Sequence, residues 1–555
     1  MKIFRERLRL LSPREDKSRA WFYIAYDQLS DRVGPLSRRP PDEVGVVLIE
    51  SLWRPALRPY HKQKLALVLA NQRHFALEQA ARGVAVRYLV SRDDYAAVLR
   101  GAASELGPLG LMRPAEYELR TLLAPLVEEG ILEVVAHEGW MTTSADFEAA
   151  GPRGGPWRQD AFYRAVRQRT GILMEEGTPT GGKYSLDADN RRAWKGDPPA
   201  PTPPAFEPDE VTQEVVRLVE SRFAHHPGRV DPAALPATLG DAERMRIWAR
   251  DECLESFGPF EDAMSAASRG LFHTRLSPLV NLHRILPADV VADALAADVP
   301  LNSKEGLIRQ VIGWREFVRH VHEATEGFRT LGFPRAGAPG TAGWDHWTKG
   351  AWSRERGSAP VGPDGGVAPA TPGGELPVLP VFWGRPSGLH CLDTAVTDVM
   401  DTAWTHHTPR LMVLSNLATL IGVSPRALTD WFWVAFIDAY DWVVEPNVLA
   451  MGTFGVGEVM TTKPYISGSA YIDRMSDFCR DCAFHPKRNC PVTRLYWAYL
   501  WRNRERLRGN HRVSMPLRNV EKRGEEARTL DRRTFEWVRE ALAAGRPVIP
   551  DEAPR

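Results

Sequence analysis

The sequence is short of cysteine, with five in 555 residues. That excludes a disulfide framework, which needs a dense set in a small secreted chain. It is also short of net charge, +1 from 71 Lys and Arg against 70 Asp and Glu. A chain so balanced has no global attraction to a polyanion, so any nucleic-acid surface must be local. Long apolar runs are missing too. The densest one, WFWVAFIDAYDWVV from Trp431 to Val444, carries Asp438 and Asp441 and falls short of the roughly 18–20 residues of a membrane helix. The amino terminus, MKIFRERLRLLSPREDKSRA, is too charged for a secretory signal. The expectation is a cytoplasmic monomer with no membrane partner. No glycine-rich phosphate fingerprint follows the first strand-like segment, which leads instead into AYDQLSDRVG.

What is present is pattern. The length exceeds a single core and implies two to four domains. Hydrophobic content of 43% and charged content of 25% describe an ordinary globular chain. Residues 1–150 alternate short apolar runs (WFYIAY, VGVVLIES, VAVRYLV, ILEVVAHEGW) with helical stretches such as HKQKLALVLANQRHFALEQAARG. This alternation predicts an α/β domain with a Rossmann-like parallel sheet covered on both faces. Residues 151–240 are less regular and hold a proline-rich linker, GDPPAPTPPAFEPDE. Residues 241–545 read as a large all-α domain, interrupted near 333–380 by a Gly/Pro-rich insertion of irregular or disordered character.

Three cysteines cluster. Cys479 and Cys482 form a CxxC, and Cys490 follows before Pro491. Soft thiolates this close suit zinc or an iron–sulfur cluster. A fourth ligand is needed; Cys391 is the remaining thiolate of choice and His485 the local alternative. Spacing alone does not separate zinc from iron. Cys253 reads as a core residue. Around the cluster, residues 474–533 hold 16 Lys or Arg against 7 Asp or Glu. Such a local excess suits phosphate-backbone binding, and equally a solvated helical face.

The stretches HTRLSPLVNL, IRQVIGWREFVR, HHTPRLMVLSNLATLIGV, WFWVAFIDAYDWVVEPNVLAM, TTKPYISGSAYIDRMSDFCRDC and NCPVTRLYWAYL occur in this order. Together they resemble the iron–sulfur bacterial cryptochromes and photolyases, a branch of the photolyase/cryptochrome family that includes bacterial (6-4) photolyases. The amino-terminal half agrees more loosely, through DQL, YHKQKLALVLANQRHFA and TGGKYSLDADNRR. The resemblance implies an α/β antenna domain, a helical FAD domain and a [4Fe-4S] cluster on Cys391, Cys479, Cys482 and Cys490. It implies FAD contacts at His273, Thr274, Ser277, Arg309, Gln310, Trp314, Asp438 and Asn447. It points to His407 as a proton donor with His406 in support, imidazole being suited by a pKa near neutrality. Trp383, Trp431 and Tyr465 match positions of an electron-transfer chain.

The departures are specific. Phe432 stands where relatives often have Tyr, which removes one oxidisable branch. Val444 stands where they carry Glu, with Glu445 displaced by one. Leu279 and His283 replace Tyr and Gly. Tyr26 replaces Gly, and its ring would block a ribolumazine-type antenna chromophore. The function implied is light-dependent repair of pyrimidine (6-4) photoproducts in UV-damaged DNA. The alternatives are a blue-light receptor without repair and a flavin-free DNA-binding protein with a structural cluster.

Overall fold

The computed structural model describes residues 2–13, 15, 18–152, 154–332, 339–340, 343–344 and 375–555. Most of the Gly/Pro-rich insertion lies outside these. Five strands form one sheet: β1 (Ala20–Tyr23), β2 (Val44–Ser51), β3 (Ala85–Ser91), β4 (Leu109–Met112) and β5 (Leu132–Val135). Their order is β3-β2-β1-β4-β5, and every pairing is parallel. All eight residues of β2 are buried, as a central strand covered on both faces requires. Strand β4 was not signalled by the sequence. It has only four residues, LGLM, with a glycine inside. That glycine is needed, because a Cβ at Gly110 would collide with the Phe22 ring of the neighbouring strand.

Helix Lys62–Ala81 locks onto β2 through a fully buried ion pair. Arg73 donates from Nε and Nη2 to Glu50 at 2.8 Å each, and the Tyr88 hydroxyl donates to Glu50 at 2.7 Å. The stretch 151–240 holds helices Gln159–Thr170 and Glu210–Arg222. The second packs against helix Lys62–Ala81, so the chain returns to the sheet before entering the helical part.

Four helices of that part carry a widened turn that sequence reading does not signal; one is at Ala249–Cys253, and the other three lie together. Leu301–Ile308 continues into a wide, π-wound segment, Arg309–Arg315, before Glu316–Ala324. Pro409–Ser415 is wound the same way ahead of Asn416–Ile421, and Glu445–Gly452 after Asp441–Val444. Such widened turns are rare and cluster at functional sites. All three line the same cavity.

The two layers are joined by buried polar bonds. Lys64 Nζ donates to the carbonyls of Trp433 (2.8 Å) and Ala439 (2.5 Å). The His61 amide donates to Val434 O at 2.8 Å. His61 Nδ1 accepts from the Gln63 amide, so Nε2 carries the proton and donates to Met400 O at 3.0 Å. His283 Nδ1 donates to Asp27 O at 2.6 Å. His283 has φ 58°, a left-handed conformation that favours glycine.

Both rings are held neutral. Burial pushes His61 down to about 4. Burial and the Arg315 charge push His283 down to about 3. Unfolded chains bind protons at these rings near pH 6.5, so the stability they confer is full above that value and is lost as pH falls. The loss is about 1.4 kcal/mol per pH unit for each ring. Urea unfolding followed from about pH 7 to pH 5 should show it, and His283→Gln should flatten the slope.

Candidate functional site: a cavity floored by Asp438 and walled by three histidines

The cavity enclosed by the widened helices has a volume of ≈ 320 Å³. Its floor is a buried carboxylate. Asp438 accepts from Arg410 Nη1 and Nη2 at 3.0 Å each and from the Ser277 hydroxyl at 2.6 Å. Burial acts to raise the Asp438 carboxyl, but Arg410 and the hydrogen bonds outweigh it and hold it below the usual range. The Asp438 carbonyl accepts from Asn281 Nδ2 at 2.9 Å. Two separate chain segments, the helix Ser277–Asn281 and the one that carries Arg410, therefore meet on Asp438.

One wall is histidine. His273 and His406 stack with ring centroids 4.1 Å apart and planes 15° apart. The His407 ring lies 5.3 Å from His273, edge-on. A ligand nitrogen from each of the three lies within 4.8 Å of the others. Burial, then the charge of its neighbours, pushes His273 and His406 well down, so both are neutral near pH 7. The His407 side chain is 42% exposed, and its Nε2 faces Asp262 at 3.5 Å. Burial would raise Asp262, but the hydrogen bond and charge of His407 keep it lowered.

Most of the expected cofactor residues come together here. His273, Thr274, Ser277, Gln310, Trp314, His406, His407, Asp438 and Asn447 all line the cavity. Arg309 does not. It lies against Glu261 (3.1 Å) and Glu305 (3.2 Å), on the side of its helix turned from the cavity. Trp431 is fully buried behind Phe432, which forms cavity wall. Trp383 meets Trp431 edge-on at 6.3 Å. Tyr465 is half-buried and makes no ring contact with either tryptophan among the described residues. Sequence reading missed Arg410 and Asp262. Arg410 was within reach, one helical turn beyond His406. Asp262 sits in GPFEDAM without any periodic signal.

The departures also have positions. Val444 lines the cavity. Glu445, one residue and about 100° further round the helix, is fully buried elsewhere. It pairs with Arg426 (2.7 Å), His322 Nε2 (2.9 Å) and Arg329 (3.0 Å). At the carboxyl ends of the strands, Tyr26 stacks on Tyr440 at 6.3 Å and 14°. Its hydroxyl bonds Arg54, which pairs with Glu116 at 2.9 Å. The cavity left there is ≈ 70 Å³.

The four cysteines converge. Cys391 lies on helix His390–Thr402, and Cys490 caps helix Pro491–Arg502. Burial, then the thiols of Cys490, Cys482 and Cys479, push Cys391 well up. Burial is also the main cause of the rise in Cys479, to about 12, and in Cys490, to about 11. A cation among them would favour their ionised form. His485 is exposed and accepts from the Lys487 amide.

A (6-4) photolyase of Agrobacterium fabrum (strain C58 / ATCC 33970) is 31% identical over 525 residues, 91% of this chain and 96% of its own length. The chain belongs to the photolyase/cryptochrome family. Residues 22–235 match the family described as deoxyribodipyrimidine photo-lyase-related protein. Uncharacterized protein R855 of Acanthamoeba polyphaga mimivirus is 31% identical over 102 residues, 18% of this chain and 80% of that protein. In fold, the chain is similar to a bacterial class III photolyase from Agrobacterium tumefaciens. The TM-score is 0.51 at 15% identity, covering 96% of this chain and 99% of that one. The photolyase/cryptochrome family generally binds FAD. No helix among the described residues is long and apolar enough to cross a membrane.

The floor of the cavity can be tested directly. Asp438→Asn leaves the Arg410 guanidinium without its counter-ion in a buried place. The expected loss is about 3 kcal/mol of unfolding free energy, measured by denaturant titration. An unchanged midpoint would show that Arg410 finds another partner at no cost.

Proposed function

We propose that this chain repairs pyrimidine (6-4) photoproducts in UV-damaged DNA, using light-driven electron transfer from reduced FAD. The observation that carries the reading is the cavity itself, in which a histidine cluster stands beside a buried carboxylate–guanidinium floor. The residues fit FAD. Thr274 offers a hydroxyl to its phosphates, while the Ser277 hydroxyl is committed to Asp438. Gln310 and Asn447 offer amides, and Trp314, Phe432 and Trp442 supply apolar wall. When bound and excited by light, reduced FAD supplies one electron to a lesion.

The histidines divide the proton work. His273 and His406 are kept neutral by burial, so neither holds the proton to be delivered. His407 is the exposed member and has Asp262 as counter-ion. Asp262 engages Nε2, which leaves Nδ1–H of the protonated ring as the atom that delivers a proton to the lesion. His406, stacked on His273, fixes the wall against which His407 stands. Imidazole suits this task because it both gives and regains a proton near neutrality.

Trp431 and Trp383 are proposed as the route by which electrons reach the cavity. Their edge contact and the position of Trp431 behind the cavity wall support this. The path runs through or beside Phe432, which is not itself oxidisable at a comparable potential. Tyr465 and Arg309 are left outside this proposal, Arg309 because it pairs with Glu261 and Glu305. Cys391, Cys479, Cys482 and Cys490 are proposed to hold a [4Fe-4S] cluster. The convergence of the four thiols supports a shared site, and the family resemblance favours a cluster over zinc. A ribolumazine-type antenna would have to share the ≈ 70 Å³ cavity lined by Tyr26, Arg54 and Tyr440.

One observation favours a second reading, a blue-light receptor without repair. Val444 presents no carboxylate to the cavity, and Glu445 is held elsewhere by three basic partners.

Two expected outcomes follow from the proposal. Purified protein should contain about four irons per chain, and Cys391→Ser should lose them; one tightly bound zinc without iron would rule out the cluster. His407→Ala should abolish repair of a lesion-containing oligonucleotide under blue light while flavin content stays normal. Absence of repair in the unaltered protein would favour the receptor, and full repair by His407→Ala would remove the proton-donor role.

A further inference from the structure

A second cavity lies at the far end of the helix that carries Arg410. Its volume is ≈ 140 Å³. The end of Asn416–Ile421 meets the carboxy-terminal helices Pro491–Arg502 and Glu525–Ala543 there. Leu411 lines the first cavity and Gly422 the second. At 1.5 Å per residue the two are about 16 Å apart along the helix.

Three arginines line this cavity, Arg502, Arg506 and Arg539, with Glu375 as the carboxylate in its wall. Two of them are anchored by backbone. Arg502 Nη2 donates to Leu420 O at 3.0 Å, and its guanidinium lies 3.7 Å over the Phe535 ring. Arg506 Nη2 donates to Phe454 O at 2.9 Å. Arg502 makes no ion pair among the described residues. Arg539 faces the same Phe535 ring at 5.8 Å.

The guanidiniums converge over a bare backbone. Gly422 has φ 89°, and a Cβ there would stand 3.0 Å from Arg539 Nη1 and 3.7 Å from Arg502 Nη1. In the same wall, Thr419 Oγ1 is buried and has no hydrogen-bond partner. That is unusual, because a threonine in a helix ordinarily bonds the carbonyl one turn back. Buried polar atoms left without a partner call for a ligand or a water.

We infer that this cavity binds a phosphate group. The Arg502 guanidinium has no ion pair among the described residues, and an oxyanion beside it would supply one. The planar fork of arginine matches phosphate oxygens two at a time. The Thr419 hydroxyl adds a neutral donor at the edge, and the bare Gly422 leaves room for the oxygens. The site is remote from the histidine wall and independent of the repair reading. Its phosphate comes either from a DNA backbone or from a free nucleotide.

The test is calorimetry on the full-length, flavin-loaded protein. The probes are inorganic phosphate, ATP and an undamaged DNA duplex, with ionic strength held constant by chloride. Saturable phosphate binding is expected. The double variant Arg502→Gln, Arg539→Gln should weaken it about tenfold or more, with the flavin absorbance unaltered. Thr419→Val, which keeps the shape, should weaken it at an unchanged melting temperature, so lost folding cannot mimic lost binding. A duplex affinity that falls in the double variant while ATP fails to compete assigns the phosphate to DNA. An ATP affinity that falls while the duplex is unaffected assigns it to a free nucleotide. No saturable binding of any probe, or equal affinity in the double variant, overturns the site.

Discussion

The carboxylate of Asp438 is the point on which the functional half of the molecule hangs. It lies beneath the cavity, bound by Arg410 from one helix and Ser277 from another, while its own carbonyl takes Asn281. A buried charge of this kind is costly unless every lone pair is used. Here the need for partners does structural work, because satisfying Asp438 fixes the spacing of three segments far apart in sequence. Arg410 follows His406 by one helical turn, so the same pair that floors the cavity also sets where the histidine wall stands. The widened turns at 309–315, 409–415 and 445–452 then supply the extra circumference an enclosed space requires.

How much of this could be read from the sequence depends on how local the signal was. The parallel sheet was legible because its long strands are apolar runs separated by an amphipathic pattern. Strand β4 was lost because four residues with a glycine inside carry no periodicity. His406, His407 and Asp438 were legible through the family resemblance, although His406 and Asp438 stand in the short connections before Pro409–Ser415 and after Pro425–Ala435. Their partners were not. Asp262 reaches His407 across 145 residues of chain, and nothing in its own neighbourhood marks it. Arg309 lies one residue before the cavity residue Gln310, and both bond Glu261, a partner that no local pattern marks. The convergence of Cys391 with the other three cysteines was legible only as a shortage, since a metal site needs a fourth thiolate and few were left.

The exchange of Val444 and Glu445 is a matter of rotation rather than of chemistry lost. The carboxylate is still in the helix, but about 100° away, and it has been taken into a fully buried network with His322, Arg329 and Arg426. Burial acts to raise the Glu445 carboxyl, yet Arg426 and the other partners drive it far below the ordinary range. A group so committed does not swing back toward the cavity. Tyr26 shows the same economy at the seam between the layers. Its ring stacks on Tyr440, so the chain's own aromatics meet across the seam.

The cysteine arrangement also ties distant parts of the chain together. Cys391 is separated from Cys479 by 88 positions, and His406, His407 and Asp438 all lie in the segment between them. The cation proposed for the four thiols would close that whole loop and so restrict the unfolded chain more than the folded one. The cavity would then owe part of its permanence to a bond made outside it.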